Sequence, residues 1–180
     1  MIKFRKYQQA TFVLIFTILP NLENSLVAEN HSNKPNIVFI LADDLGYGDV
    51  ACYNSKSKIP TPNIDLLAKE GIMFTDAHSP STVCTPTRYS FLTGRMAFRN
   101  GMKGVFTGAG GPCLIENDRL TIAKMLQEQS YTTAMFGKWH VGLTFYDTDG
   151  KPILKNGLDA VKRIDYTKAI TDGPLHQGFD

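Results

Sequence analysis

Cys84, Pro86 and Arg88, with Gly94 further on, are the residues whose types and spacing could carry covalent chemistry. Pro86 suits the first turn of a helix, where a missing backbone N–H costs nothing, and Gly94 suits the residue just past its end. The spacing therefore predicts a helix that starts near Cys84 and stops before Gly94. Cys84 then lies at the positive end, where unpaired N–H groups and the helix dipole favour an anion. Arg88, four residues on, rises on the same face. A potential nucleophile, a positive helix end and a guanidinium meet at one point, an arrangement that suits a tetrahedral oxyanion such as sulfate or phosphate.

Two further groups have chemical potential, and each follows a segment that reads as a strand. Ile37-Val38-Phe39-Ile40-Leu41 is an apolar run without alternation, as expected of a strand buried on both faces in a parallel sheet. Asp43 and Asp44 follow it, at the carboxyl end of the strand where open α/β sheets place their ligands. Adjacent carboxylates repel, and a cation between them keeps both ionised; hard oxygen donors point to Ca²⁺ or Mg²⁺. Tyr131 to Phe136 predicts another strand, running into Gly137-Lys138-Trp139-His140-Val141-Gly142. In an extended segment Lys138 and His140 share one side and Trp139 takes the other.

The elements between them are expected to bring these groups to one edge. Thr61-Pro62-Asn63 opens a helix capped by Thr61, with Ile64, Leu67 and Ala68 as its buried face and Gly71 as its end. Ile72 to Ala77 predicts the next strand, completing a βαβ unit. Leu120 to Gln129 predicts an amphipathic helix with Ile122, Met125 and Leu126 on one face. Arg99 to Asn117 is loop-like, and Asp147-Thr148-Asp149-Gly150-Lys151-Pro152 is a turn or hairpin tip. Position 158 is Leu158, which excludes an EF-hand there. The glycines at 46 and 48 do not complete a dinucleotide fingerprint. The cluster at Gly108, Gly110 and Gly111 lacks the lysine of a phosphate-binding loop and reads as surface loop.

Composition bounds the class. The chain has 180 residues, 43% hydrophobic and 20% charged, as in an ordinary globular protein. Lys3, Arg5 and Lys6 precede the short apolar run Ala10 to Leu19, and Ala28 offers a small residue for cleavage, together a secretory signal peptide over 1–28. The run is too short to span a bilayer. Without Lys3, Arg5, Lys6 and Glu23 the remaining chain carries 16 basic and 16 acidic side chains. No basic stripe then suggests a nucleic-acid partner. Three cysteines leave at least one unpaired in a monomer; a Cys52–Cys113 bridge stays open.

Cys84-x-Pro86-x-Arg88 followed by Leu92-Thr93-Gly94-Arg95 resembles the signature of type I sulfatases, whose cysteine is oxidised to Cα-formylglycine. Asp43-Asp44-x-Gly46-x-Gly48 is similar to the family's calcium motif, and Gly137-Lys138-Trp139-His140-x-Gly142 looks like its second signature. The resemblance runs from Asn36 to Asp180. It implies an α/β alkaline-phosphatase-like sandwich with a mainly parallel central sheet. It makes residues 29–180 the N-terminal portion of a catalytic domain whose further calcium ligands, second lysine and second histidine come from later sequence. The signal peptide over 1–28 predicts export to a periplasmic, extracellular or lumenal space without a stable membrane anchor. The substrate would be a sulfated small molecule or carbohydrate, and a formylglycine-generating enzyme the maturation partner. In that scheme Asp43, Asp44 and the modified Cys84 hold Ca²⁺, with Mg²⁺ the second choice. Arg88 and Lys138 stabilise negative charge. One hydroxyl of the hydrated aldehyde attacks sulfur, and His140 accepts the proton of the other as sulfate is expelled. Two alternatives are a phosphonate or phosphodiester hydrolase of the same superfamily and a non-catalytic exported fragment that binds anions or partners.

Overall fold

The computed structural model describes residues 34–106 and 111–180. The segment read as a signal peptide, and Gly108 and Gly110 of the glycine cluster, lie outside the described residues. The chain forms two compact units, Met1–Leu41 and Ala42–Asp180. In the first, residues 34–41 take no regular secondary structure, and Val38 and Ile40 are 81% and 86% exposed.

Among the described residues the second unit has four α-helices: α1 (Pro62–Glu70), α2 (Cys84–Thr93), α3 (Ile122–Glu128) and α4 (Leu158–Arg163). Short 3-10 turns occupy Tyr47–Asp49, Ala97–Asn100 and Pro174–Gln177. Helix α2 starts at Cys84 after an extended Val83, with Pro86 in its first turn. It ends where Gly94 takes φ +63° and donates its N–H to the Ser90 carbonyl, a left-handed cap that glycine adopts without steric cost. Helix α3 starts two residues later than the apolar pattern suggests, because the Thr121 hydroxyl accepts the Lys124 N–H as a true N-cap. Its buried residue is Ala123, whereas Met125 stays exposed.

Helix α1 occupies the expected span but differs in its details. The Thr61 side chain does not cap it; the hydroxyl donates to Asp65 Oδ1 and accepts the Ala51 N–H, tying the helix to the preceding loop. Ile64 and Leu67, expected to be buried, are 43% and 66% exposed. The runs at 72–77 and 131–136 likewise form no strand among the described residues. A strand requires a ladder partner, and an apolar run specifies a need for burial without supplying that partner. Thr133 comes nearest: its carbonyl accepts the Asp180 N–H at 2.8 Å, and its N–H donates to the Asp180 carboxylate at 2.7 Å. The turn at 147–152 forms as expected, closed by an antiparallel bridge between Tyr146 and Pro152.

Two cores hold the unit together. Tyr89, Leu92, Ala97, Ile115 and Val141 form the larger one, with Trp139 and Phe179 against it in an edge-to-face pair 6.4 Å apart. Ile153, Ala160 and Ile164 form the smaller, capped by Phe145. The three cysteines are free, so Cys52 and Cys113 are not bridged, and burial pushes the Cys113 thiol up to about 11. Among the described residues no helix is long and apolar enough to cross a membrane.

Candidate functional site

Helix α2 positions Cys84 and Arg88 because it is fixed to the core by polar as well as apolar groups. Thr85, Pro86, Tyr89, Ser90 and Leu92 are all buried. The Ser90 hydroxyl accepts the Ala97 N–H at 2.9 Å, and the Thr93 hydroxyl donates to the Tyr89 carbonyl. Cys84 is half-buried at the positive helix end, and Arg88 extends from the next turn with its side chain 11% exposed.

Asp43 meets two cations from distant parts of the sequence. Lys138 Nζ lies 2.9 Å from Asp43 Oδ2, and Arg88 Nη2 lies 3.4 Å from Asp43 Oδ1. Arg88 Nη1 also donates to the Lys138 carbonyl, so three chain segments lock together at one point. The hydrogen bond from Lys138, with help from Arg88, holds the Asp43 carboxyl below the usual carboxylate range. Asp43 in turn raises the Lys138 ammonium, with a smaller contribution from Cys84. Cys84, Arg88, Lys138 and Asp43 thus share one electrostatic environment.

Asp44 is exposed and takes φ +61°, a left-handed conformation that aspartate tolerates better than most residues. His140 also has positive φ, at +55°. The segment from 137 to 142 is therefore not extended. Gly137, His140 and Gly142 turn it repeatedly, and a Cβ on Gly142 would lie 2.3 Å from the Pro112 carbonyl oxygen. Lys138 and His140 consequently have different partners: Lys138 reaches Asp43, while His140 Nε2 faces the Phe106 carbonyl at 2.6 Å. Trp139 takes the opposite course, donating Nε1–H to the Gly142 carbonyl and packing on the core. His78 is exposed and 3.6 Å from Asp76.

Calcium requires six to eight oxygen ligands. Asp43 and Asp44 are donors of the right hardness, whereas the Cys84 thiol is too soft unless oxidised. Among the described residues no group of three or more His, Cys, Asp or Glu gathers around a common point. The two aspartates therefore fit a hard cation in donor type, and alone they would make up only part of its shell.

Residues 35–179 match the family model described as Sulfatase. The chain belongs to the sulfatase family. It is similar to human steryl-sulfatase, 45% identical over 123 residues that cover 65% of this chain and 21% of that protein. Rat arylsulfatase G is 43% identical over 127 residues, covering 69% and 23%. The N-acetylgalactosamine-6-O-sulfatase of Bacteroides thetaiotaomicron is 44% identical over 113 residues, covering 63% and 22%. A solved structure from work on the metabolism of multiple glycosaminoglycans by the same bacterium superposes with a TM-score of 0.66 at 38% identity. That match covers 83% of this chain and 28% of the other. The chain spans about a fifth of the length of the curated relatives it matches.

Several residues that hold this sulfatase signature in place carry no motif of their own. The Tyr89 hydroxyl donates to Glu116 at 2.9 Å, and Asn100 Nδ2 donates to Glu116 Oε1 at 2.8 Å. Arg95 and Arg119 stand 3.3 and 3.5 Å from the same carboxylate. Burial, then Glu116, raises the Tyr89 phenol. Glu116 and Asn100 lie in the stretch without periodicity, where no spacing singles them out. Asp172, which accepts the N–H groups of Cys113 and Thr144, is equally silent in the sequence.

Proposed function

We propose that the chain hydrolyses sulfate esters as part of a sulfatase catalytic domain, with Cys84 oxidised to formylglycine. The observation that carries this reading is the convergence of Asp43, Arg88 and Lys138 at the helix end bearing Cys84. Two cations and a helix N-terminus provide for an oxyanion, and family membership makes sulfate the oxyanion to test first. Asp43 and Asp44 would hold Ca²⁺, which when bound polarises oxygen ligands and offsets negative charge. The aldehyde, once hydrated, supplies a hard oxygen nucleophile in place of sulfur.

The protein's own groups do the rest. Arg88 and Lys138 bind the sulfate group and stabilise the charge that develops on its oxygens. Arg88 is held by the Lys138 carbonyl, so its guanidinium is oriented before substrate arrives. His140 accepts a proton during release of sulfate. The fold is read as the N-terminal part of an alkaline-phosphatase-like sandwich, in keeping with the sulfatase family match and the solved structure it resembles. Residues 1–28 are read as removed on export. The substrate class includes aryl, steryl and carbohydrate sulfates, as the names of the relatives suggest.

The deciding experiment is mass spectrometry of the Cys84 peptide from protein made together with a formylglycine-generating enzyme. Sulfate and phosphate esters are then assayed side by side. Conversion of Cys84 is expected in residues 1–180, which alone are read as inactive, and turnover of the sulfate ester is expected where the sequence supplying the remaining calcium ligands, second lysine and second histidine is present. A fully active preparation with an alkylatable Cys84 thiol would overturn the reading. Preference for the phosphate ester would move the chain to the phosphonate or phosphodiester branch.

A further inference from the structure

Thr85 follows the modifiable cysteine and is 0% exposed. Its hydroxyl donates to the His140 carbonyl at 3.0 Å and accepts the Phe106 N–H at 2.9 Å. The Phe106 carbonyl, on the other side of the same residue, faces His140 Nε2 at 2.6 Å. The contacts close into a circuit. Thr85 fixes the backbone of His140 and that of residue 106, and residue 106 fixes the His140 ring.

The circuit determines the tautomer. A carbonyl oxygen only accepts, so Nε2 carries the proton. His140 Nδ1 is buried and has no hydrogen-bond partner among the described residues. In the neutral ring Nδ1 is therefore the lone pair, and a proton there would be a buried donor without an acceptor. The backbone of His140 needs such support, because φ +55° is sparsely populated for a residue with a side chain.

We propose that Thr85 is a positioning residue, holding His140 with its proton on Nε2 so that Nδ1 is the free base. This rests on the reading of His140 as the proton acceptor and deepens it. The side chain beside the nucleophile would then orient the base that serves it.

The test uses the full chain with ¹⁵N-labelled histidine; it has four histidines, and His140→Ala assigns the signal. A long-range proton–nitrogen spectrum of the wild type should show Nε2 protonated and Nδ1 bare. Thr85→Val, which removes the hydroxyl at similar volume, should give a mixture of tautomers or the Nδ1–H form, and Thr85→Ser should restore the original. In the formylglycine-bearing enzyme Thr85→Val should lower kcat about 10- to 100-fold. KM should stay within about 3-fold, and Thr85→Ser should recover most of the loss. A wild-type ring protonated on Nδ1, or an unchanged tautomer in Thr85→Val, overturns the proposal. Should the valine variant not fold, Thr85→Ala and the wild-type spectrum decide by the same criteria. If His140→Ala keeps its turnover while the spectra behave as stated, the proton-acceptor reading falls and the positioning by Thr85 stands.

Discussion

Helices α1 and α2 have nine and ten residues, and their burial runs against their patterns. Helix α1 gathers Ile64, Leu67 and Ala68 on one side, yet none of its residues is buried. Helix α2 mixes threonine, arginine, tyrosine and serine with its apolar residues all round, yet buries five. Three of those five, Thr85, Tyr89 and Ser90, carry hydroxyls, and each hydroxyl has a partner. One-sided apolar patterning states what a helix could cover. Satisfied polar groups made α2 a fixed platform, which is what a site at its N-terminus requires.

If the platform and the chemistry on it are separable, the largest effect should come from a residue that contributes to the second alone. Lys138→Ala removes a cation from Asp43 but leaves the Lys138 carbonyl that holds Arg88. Loss of a positioned charge stabiliser typically lowers kcat by about 10² to 10³. The Lys138–Asp43 pair is 44% exposed on both sides, and solvent screening leaves such pairs little weight in stability. Steady-state kinetics with thermal melts should therefore show a large loss of turnover and a nearly unchanged Tm. A large fall in Tm would mean that the ion pair is part of the platform. Leu92→Ala should do the reverse. Leu92 is 7% exposed within the main core, and its truncation should cost about 2–5 kcal/mol in denaturant unfolding.

The same contrast separates what was legible in the sequence from what was not. The bounds of α1 and α2, the placement of Cys84 at a helix start and the left-handed Gly94 follow from local rules: proline early, glycine last. Such rules act within a few residues and need no knowledge of the partner. The three motifs were expected to share one sheet edge; Arg88 and Lys138 do both reach Asp43, but as its ion-pair partners and without strands at that edge among the described residues. The partners of Tyr89 were not legible, since Glu116 and Asn100 lie in aperiodic loop and act through side chains at long separation. The turned backbone at His140 escaped for a related reason: histidine is enriched at positive φ but far less than glycine, and the close approach of Gly142 to Pro112 is a long-range contact that local spacing does not announce.

Glu116 offers a test of the platform through pH. Burial pushes its carboxyl up, but its own backbone N–H together with Tyr89 and Asn100 outweighs that and brings it below its ordinary 4.5. A depressed folded-state pKa means stability that is present above the unfolded value and is lost as pH falls through the folded one. Wild-type Tm should therefore fall more steeply below pH 4.5 than that of Glu116→Gln, whose amide does not titrate. Melts between about pH 6 and about pH 3 should show the two curves converging in acid. Parallel curves would mean that Tyr89 and Asn100 bind the charged and neutral carboxyl equally.

The smallest effect is expected on α1, and it bears hardest on the comparison. Leu67 is 66% exposed, so truncation to alanine removes few contacts and leaves no cavity. Its backbone carbonyl, which accepts the Gly71 N–H at the helix end, is untouched. Alanine is also at least as good a helix former as leucine, so no propensity is lost. Leu67→Ala should therefore change the unfolding free energy by no more than about 0.5 kcal/mol, against several for Leu92→Ala. Denaturant titrations of the two variants in the same buffer make the measurement. A loss of about 2 kcal/mol or more at Leu67 would show that this face is covered in solution. The two helices would then be platforms of the same kind, and polar satisfaction would no longer distinguish them.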